Sequence, residues 1–307
     1  MKQKRVACGV VLVVTLYLIG CGSSGPSLTG PELAQKYPNK KYVQIDGVSL
    51  RYEQEGIGRP LVFVHGFLTY SYLWRNITPG LTFGNTIYNL DLMGFGLSEK
   101  PQDKTYSVDL YAEQLGKFLD NFHIENPILV GHDAGGAIVT LYALRNPGKV
   151  RKLIIMDAPL YYAPPPLSIR VLRTRLIGEL FTGDWFLKRL LRQGVEKEER
   201  LADPVLTAYL QPYHDDPGAR AVLLKFVREF NLRPLIENEI RPNLPNLQMP
   251  VLIVWGDGDA YVPLDFGRRL DQDIPHSAFE VILNSGHLVQ EERPERVREV
   301  LKEFIAQ

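Results

Sequence analysis

Cysteine is scarce in this chain, and its placement limits the chemistry of everything that follows it. Cys8 and Cys21 are the only two cysteines among 307 residues, so the chain beyond residue 21 can form neither a disulfide nor a thiolate metal site. Charge is balanced, with 35 basic and 35 acidic residues, and no basic stripe marks a nucleic-acid surface. No period of about 20–50 residues repeats, which argues against a solenoid or propeller.

The N-terminal stretch has the pattern of an export signal. Three basic residues in MKQKR precede the uncharged run VACGVVLVVTLYLIG, which is shorter than the ~20 apolar residues of a spanning helix. The run ends in LIGC, which resembles the lipobox of bacterial lipoproteins. We therefore expect a signal peptide over 1–20, lipidation of Cys21 and a flexible tether over 21–40. An ordinary signal peptide and an uncleaved anchor are the alternatives.

The residue after the expected lipidation site bears on localisation. Gly22 rather than an aspartate follows Cys21. By resemblance to lipoprotein sorting rules, this favours an exported, membrane-anchored protein in the outer membrane, facing the periplasm. The expected partners are thus the membrane, through the lipid anchor, and a small substrate, with no nucleic acid.

From residue 41, strand-like and helix-like stretches alternate in a chain of ordinary globular composition, 45% hydrophobic. Most of the strand-like runs are rich in Val, Ile and Leu and lack clean alternation, as expected for strands buried on both faces. The runs are KYVQI and VSLRYEQ around Asp46-Gly47, LVFVHG (61–66), NTIYNLDL (85–92), PILVG (127–131), KLIIMDAP (152–159), PVLIVWG (250–256) and AFEVILN (278–284). They predict an α/β fold with a mostly parallel, eight-stranded sheet flanked by helices.

One interval interrupts this alternation. Residues 160–248 contain no convincing strand but several helix-like pieces, such as DWFLKRLLRQG and GARAVLLKFVREF. We interpret the interval as a helical cap over the carboxyl edge of the sheet, where ligands bind in open α/β folds. The core would then comprise 41–159 and 249–307. A second helical domain unrelated to the site is the alternative.

The stretch GHDAGG, residues 131–136, has the layout of a nucleophile elbow. It follows a short apolar strand and precedes a helical stretch, with one glycine on each side of the central position. Serine normally occupies that position, whereas this chain has Asp133. Asp133 is therefore the candidate nucleophile.

The partners of a nucleophile in this arrangement follow it along the chain as an acid and then a histidine. His287 comes after the last predicted strand and is the candidate base. Asp259 is the preferred acid, because it lies a few residues beyond a strand, where a loop can reach the histidine. Asp157 and Asp257 are rival acids.

Two backbone N–H groups are expected to form an oxyanion hole. One would come from the loop after LVFV, where HGF ends in Phe67, and the other from Ala134, directly after the candidate nucleophile.

These residues resemble the α/β-hydrolase superfamily over nearly all of residues 41–305. HGFLTYSYLWRNITP, LDLMGFGLSEKP and GHDAGG together resemble its haloalkane dehalogenase and epoxide hydrolase branch. The resemblance implies that Asp133 attacks a saturated carbon and forms an alkyl ester, and that a water activated by His287 then hydrolyses this ester. A carboxylate suits this chemistry, because its attack on an ordinary ester would give a high-energy anhydride.

The departures from the family pattern bear on the substrate. Dehalogenases usually have tryptophan after the nucleophile and often asparagine after the HG pair, where this chain has Ala134 and Phe67; Trp185 is the only tryptophan in the cap. Epoxide hydrolases use two cap tyrosines to protonate the opening oxygen. The candidates here are Tyr161, Tyr162, Tyr209 and Tyr213.

We therefore expect a hydrolase of apolar epoxides. The alternatives are a haloalkane dehalogenase with the same mechanism, a non-catalytic binding protein and an atypical esterase on the same fold. No metal or organic cofactor is implied, since the sequence has no ligand cluster or phosphate loop.

Overall fold

A computed structural model describes residues 25–307. Their strands form one eight-stranded sheet in the order β1-β2-β4-β3-β5-β6-β7-β8. The strands are β1 Lys41–Ile45, β2 Val48–Gly56, β3 Arg59–Val64, β4 Asn85–Leu90, β5 Ile128–His132, β6 Lys152–Met156, β7 Val251–Gly256 and β8 Ser277–Ile282. Only β2 pairs antiparallel with its neighbours, and all other pairs are parallel. The predicted α/β architecture with a mostly parallel sheet is confirmed.

The helices include several that pack against the sheet and others that fall in the chain between β6 and β7. They are α1 Gly30–Lys36, α2 Val108–Asn121, α3 Ala134–Arg145, α4 Leu167–Arg173, α5 Ile177–Leu180, α6 Asp184–Gln193, α7 Asp203–Asp215, α8 Ala219–Glu229, α9 Arg233–Leu235, α10 Arg241–Asn243, α11 Leu264–Asp273, α12 Val289–Glu292 and α13 Pro294–Ala306. A π-helical stretch, Ile236–Ile240, joins α9 to α10. The stretch predicted as a cap thus carries α4 to α10.

Local sequence explains several of these elements. Asp46 and Gly47 both have positive φ, at 52° and 75°, which allows the tight turn between β1 and β2. The Ser107 side chain accepts the Leu110 N–H at the start of α2, a common N-terminal helix cap. The strands β5 and β6 are buried along their whole length, as their apolar runs predict.

The flexible tether predicted over 21–40 is wrong for its second half. Residues 30–36 form α1, whose Leu33 is buried. Lys36 Nζ donates to the Asp215 backbone carbonyl at 2.7 Å, and the Tyr37 hydroxyl donates to the Asp215 carboxylate. These contacts with α7 hold the segment against the cap. The predicted signal peptide over 1–20 and Cys21 lie outside the described residues.

Among residues 25–307, no helix combines the length and apolar character needed to cross a bilayer.

The order of the strands in the sheet changes direction at β3, and the carboxyl ends of β3 and β5 lie side by side at this point. β3 lies between β4 and β5, so chain segments leaving β3 and β5 diverge to opposite sides. Such a switch point is where open α/β sheets bind ligands. The loop after β3 carries Phe67 and the turn after β5 carries Asp133.

Candidate active site

Asp133 occupies a sharp turn between β5 and α3. Its backbone has φ 51° and ψ −122°, an unusual conformation for a residue other than glycine. The glycines around it are required by close packing: a Cβ on Gly131 would lie 2.4 Å from the Gly135 carbonyl oxygen, and one on Gly135 would lie 2.2 Å from the Val64 carbonyl oxygen. The turn therefore has the geometry of the predicted elbow.

The two predicted oxyanion-hole donors lie beside the Asp133 carboxylate itself. The Phe67 N–H donates to Asp133 Oδ2 at 2.8 Å. Burial raises the pKa of Asp133, and the charge of His287 and hydrogen bonds from the Phe67 and Ala134 N–H groups oppose that rise. Oδ2 thus accepts a backbone donor from the loop after β3, while Oδ1 faces His287 Nε2 at 3.8 Å.

His287 connects Asp133 to the acid. Its Nδ1 lies 2.8 Å from Asp259 Oδ2, and its Nε2 lies 3.8 Å from Asp133 Oδ1. Burial alone would lower the pKa of His287, but the charge and hydrogen bond of Asp259, with the charge of Asp133, raise it to about 9. The resting imidazole is therefore protonated near neutral pH.

The three candidate acids occupy different positions. The Asp259 side chain is fully buried and bonds to His287, while its Oδ1 accepts the N–H groups of Tyr261 and Val262 at 2.8 and 2.9 Å. Asp257 is exposed and accepts the Ser285 N–H instead. The structure therefore brings Asp259, the preferred acid, to the histidine and leaves Asp257 outside the cluster.

Asp157 lies directly behind Asp259 without bonding to His287. Its Oδ1 accepts the Gly256 N–H at 2.9 Å. Burial and the neighbouring charge of Asp259 raise the pKa of Asp157 well above its usual range. A neutral Asp157 can share its proton with the Asp259 carboxylate, which makes it a supporting group for the acid.

Three of these groups could also hold a metal ion by position alone. Asp157, Asp259 and His287 each offer a ligand atom, and the three atoms lie within 4.8 Å of one another. Histidine and carboxylate ligands suit several divalent metals. The same cluster contains the hydrogen bond between His287 and Asp259, so a metal would compete with that bond.

A cavity of about 220 Å³ opens above Asp133 and His287, between the cap and the core. Its walls are mainly apolar, with Phe67 and Leu68 from the core and Leu190, Phe226 and Phe230 from the cap. Phe67 stacks on Phe226 at a centroid distance of 5.7 Å. The Asp133 carboxylate thus faces a space suited to an apolar ligand.

The four candidate tyrosines divide into two pairs. Tyr161 and Tyr162 line the cavity, whereas Tyr209 and Tyr213 are buried in the cap away from it. The Tyr209 hydroxyl donates to Glu291. The Tyr161 hydroxyl donates to Asp273 at 2.7 Å.

Trp185, the only tryptophan of the cap, is outside the cavity. Its side chain is 60% exposed and does not line the space above Asp133. It therefore cannot stabilise a departing halide there.

Sequence reasoning missed two residues beside the histidine. The Tyr261 ring lies 5.4 Å from the His287 ring and lines the cavity, and its hydroxyl donates to the Leu190 carbonyl at 2.7 Å. The His132 ring lies 4.7 Å from that of His287, with His132 Nε2 2.8 Å from the His287 carbonyl oxygen. The sequence signal for them was their place in the chain: His132 directly precedes Asp133, and Tyr261 follows Asp259 by two residues.

Comparison with known proteins identifies the family. The profile of the alpha/beta hydrolase fold family matches residues 59–294. The chain is 30% identical over 269 residues to the uncharacterized hydrolase YugF of Bacillus subtilis, covering 85% of this chain and 96% of that protein. A solved alpha/beta hydrolase fold protein from Burkholderia ambifaria is similar with a TM-score of 0.75 at 27% identity, over 85% of this chain and 96% of that one.

Two further relatives have named activities. The chain is 29% identical to a cis-3-alkyl-4-alkyloxetan-2-one decarboxylase of Shewanella oneidensis, over 87% of this chain and 88% of that protein. It is 27% identical to haloalkane dehalogenase 2 of Mycobacterium tuberculosis, over 81% of this chain and 88% of that protein. Hydrolases, a dehalogenase and a decarboxylase are thus among its relatives, and the chain is an enzyme that belongs to the α/β hydrolase fold family.

Proposed function

We propose that this enzyme transfers an alkyl group to Asp133 and then hydrolyses the resulting ester. Asp133 Oδ1 attacks a saturated carbon, the bond from that carbon to its leaving group breaks, and an ester forms between the carbon and Oδ1. Water then attacks the ester carbonyl carbon, Cγ of Asp133. The alcohol leaves with Oδ1, and the carboxylate is restored with one oxygen from water.

The observation that carries this proposal is the hydrogen bond from the Phe67 N–H to Asp133 Oδ2 at 2.8 Å. In acyl transfer, an oxyanion hole receives the carbonyl oxygen of the substrate. Here an oxygen of the nucleophile occupies that position. The oxyanion that these donors can stabilise is therefore the one that forms at Asp133 when water attacks its ester.

The electrostatics of His287 support a two-step sequence. The charge of Asp133 is one of the causes that raise the pKa of His287 to about 9. Ester formation removes that charge, so the pKa of His287 falls and the imidazole can lose its proton. Nε2 is then ready to accept a proton from the attacking water. The base thus becomes available only after the first step.

Apolar epoxides are the substrates that we propose. In-line attack from Oδ1 places the departing oxygen on the opposite side of the carbon, toward the cap. That oxygen needs a proton, and Tyr162 lines the cavity from the cap, while the hydroxyls of Tyr161 and Tyr261 are donated to Asp273 and Leu190. We therefore assign proton donation to the Tyr162 hydroxyl, with the phenolate reprotonated from solvent.

Replacing Tyr162 by phenylalanine should slow ester formation from epoxides by about 10²-fold, because the alkoxide then leaves without a general acid. The rate is measured in single turnovers by the mass of the ester in the His287→Gln background. Tyr161→Phe is the matched control and should change the rate little. An unchanged rate in Tyr162→Phe would remove Tyr162 from the mechanism.

Alkyl halides are the second candidate substrates, on the likeness to haloalkane dehalogenase 2. In dehalogenases, side-chain N–H groups at two positions near the nucleophile bind the halide. Here those positions are occupied by Phe67 and Ala134, which offer only backbone donors. The likeness to a decarboxylase named for an alkyl-substituted oxetan-2-one favours strained oxygen rings instead. That ring class includes epoxides as its three-membered members.

The substrate class can be determined by trapping the ester. In the full chain with His287→Gln, the second step should stall, and intact-protein mass after mixing with each compound should show a covalent adduct. An epoxide or an oxetan-2-one adds its whole mass, whereas an alkyl halide adds its alkyl group and releases halide. Adducts from strained rings that vanish on Asp133→Ala would support the proposal.

Two other results of the trapping experiment would contradict it. A halide-releasing adduct alone would make the enzyme a dehalogenase. No adduct from any class, with intact binding of these compounds, would favour a binding protein or an atypical esterase. Each variant requires a melting temperature near that of the native chain.

We also propose that the protein is an exported lipoprotein attached through Cys21, as its N-terminal sequence predicts. Expressed in a bacterium, the native chain should partition with membranes and carry the mass of a lipid. Cys21→Ser should lack this mass. A native chain of unmodified mass would contradict lipidation.

A further inference from the structure

The cap has an unusual concentration of exposed apolar side chains. Nine large hydrophobic side chains are exposed in the described part of the chain, and six of them fall between residues 162 and 185. We call these six the cap surface: Tyr162, Leu167, Leu176, Ile177, Leu180 and Trp185. Soluble proteins usually bury such residues or scatter them singly, so a contiguous set indicates a contact with something else.

The members of the cap surface belong to neighbouring elements. Leu167 begins α4, and α4 contacts α5, which carries Ile177 and Leu180. Phe181 follows α5 and packs against Trp185 at a centroid distance of 5.7 Å. Leu176 has a φ of 67° and remains exposed between α4 and α5. The exposed residues thus belong to elements of the cap that follow one another in the chain, with α4 in contact with α5.

The charge around the cap surface is positive. The cations between residues 167 and 192 that make no ion pair within residues 25–307 are Arg170, Arg173, Arg175, Lys188 and Arg189. The two acidic residues in this interval are already neutralised: Glu179 lies 3.6 Å from Arg228, and Asp184 lies 2.6 Å from Arg220. Of these cations, Arg173 donates to the backbone carbonyls of Val227 and Phe230. Exposed apolar side chains that alternate along the chain with cations lacking an acidic partner match a membrane, which has an apolar interior below anionic headgroups.

The described chain also begins at this side of the cap. Gly25 packs against Pro217, and Ser27 packs against Gly218. Arg220, in the first turn of α8, donates to Asp184, the residue directly before Trp185, at 2.6 Å. The described chain therefore begins near Trp185 of the cap surface, and the predicted lipidation site is four residues earlier in the sequence.

We propose that the cap surface docks onto a lipid bilayer that contains anionic headgroups. Trp185, Leu176 and Leu180 enter the interface between headgroups and acyl chains, where tryptophan is favoured. Arg175 and Arg189 lie at the level of the anionic headgroups. The partner is thus a membrane surface, in contact with the cap rather than with the sheet.

Docking would place the mouth of the cavity at the membrane. Tyr162, residues 164–166 and Ile169 line the cavity and directly adjoin Leu167 of the cap surface. An apolar compound dissolved in the bilayer could then enter the cavity without crossing water. This route rests on the proposed function, whereas the docking itself does not.

Tryptophan emission tests the docking directly. Trp74 and Trp255 are fully buried, and Trp185 is 60% exposed, so lipid contact alters the emission of Trp185. The full chain is bound to vesicles of phosphatidylcholine and phosphatidylglycerol, with bromine on the acyl chains, and the floating fraction is measured. Emission should shift to shorter wavelength and be quenched by bromine, and acrylamide should quench it less than in buffer. Trp185→Phe should lose these changes.

Matched variants distinguish docking through the cap surface from nonspecific adsorption of the protein to vesicles. Leu176→Ser with Leu180→Ser should abolish bromine quenching, while Ile57→Ser with Leu283→Ser, which changes exposed apolar residues elsewhere, should leave it intact. Arg175→Gln with Arg189→Gln should weaken quenching only with phosphatidylglycerol present.

Three results would overturn the proposal. The chain could fail to float with vesicles, or Trp185 could remain as accessible to acrylamide on vesicles as in buffer. A blue shift that appears without lipid and grows with protein concentration would assign the cap surface to a second copy of this chain. The trapping assay with His287→Gln is independent of all three, so failure of docking and failure of the proposed chemistry are distinguishable.

Discussion

Asp133→Asn should reduce turnover by roughly 10⁴-fold or more, the scale on which loss of a covalent nucleophile is measured in other hydrolases. Asparagine has the same shape, and its amide oxygen can still accept the Phe67 N–H that bonds to Oδ2 in the native chain. Binding and folding should therefore persist while ester formation stops. Multiple-turnover rates and a melting curve check both parts.

The same variant should change the titration of His287. Removing the carboxylate removes one of the charges that raise the pKa of His287 to about 9, so the pKa should be lower in Asp133→Asn. At pH 8, more of the imidazole should then be neutral than in the native enzyme. NMR titration of the ring measures the shift. Substantial turnover in Asp133→Asn, or an unchanged pKa, would contradict the assigned role of Asp133.

Asp259→Asn should lower turnover by about 10⁴-fold, as found when the acid of a catalytic triad becomes an amide. Asp259 Oδ2 accepts from His287 Nδ1 at 2.8 Å. An amide nitrogen at this position would instead donate to Nδ1 and favour the tautomer that has its proton on Nε2. Nε2 would then carry the proton and could not act as a base. The loss should fall on ester hydrolysis, so the alkyl ester should accumulate in this variant too.

Asp157→Asn is the control that separates the two buried acids. Asp157 is buried with its pKa raised well above the usual range, so a neutral amide resembles its neutral acid. We expect a loss of less than about tenfold, because the bond from His287 to Asp259 remains. Rapid-quench measurement of both steps gives the comparison. Equal losses in the two variants would show that the acids act as one unit.

The fold could be predicted from the sequence because its signals are local. Runs of five to eight residues, most of them rich in Val, Ile and Leu, marked the strands, and the pair Asp46-Gly47 marked the turn between β1 and β2. The elbow was equally visible, since Gly131 and Gly135 must lack side chains for β5, α3 and β3 to pack. The order of Asp133, Asp259 and His287 along the chain then predicted the cluster that the structure brings together.

Long-range packing explains what the sequence did not predict. Nothing within residues 25–40 indicates that Tyr37 meets Asp215 of α7, so the segment was predicted as a tether. The packing of the cap helices decides which tyrosines line the cavity above Asp133. Tyr209 does not line it, because its hydroxyl donates to Glu291. The choice between Asp157 and Asp259 likewise depends on loops that converge only in the folded chain.

The origin of the oxygen in the product tests most directly whether Asp133 forms an alkyl ester with the substrate. With enzyme in excess over the substrate found by trapping, a single turnover is run in water enriched in ¹⁸O. We expect the first product to carry unlabelled oxygen from Asp133 and the peptide containing Asp133 to gain one ¹⁸O. Label in the first product, with Asp133 unlabelled, would mean that water attacks the substrate itself and would contradict the alkyl ester.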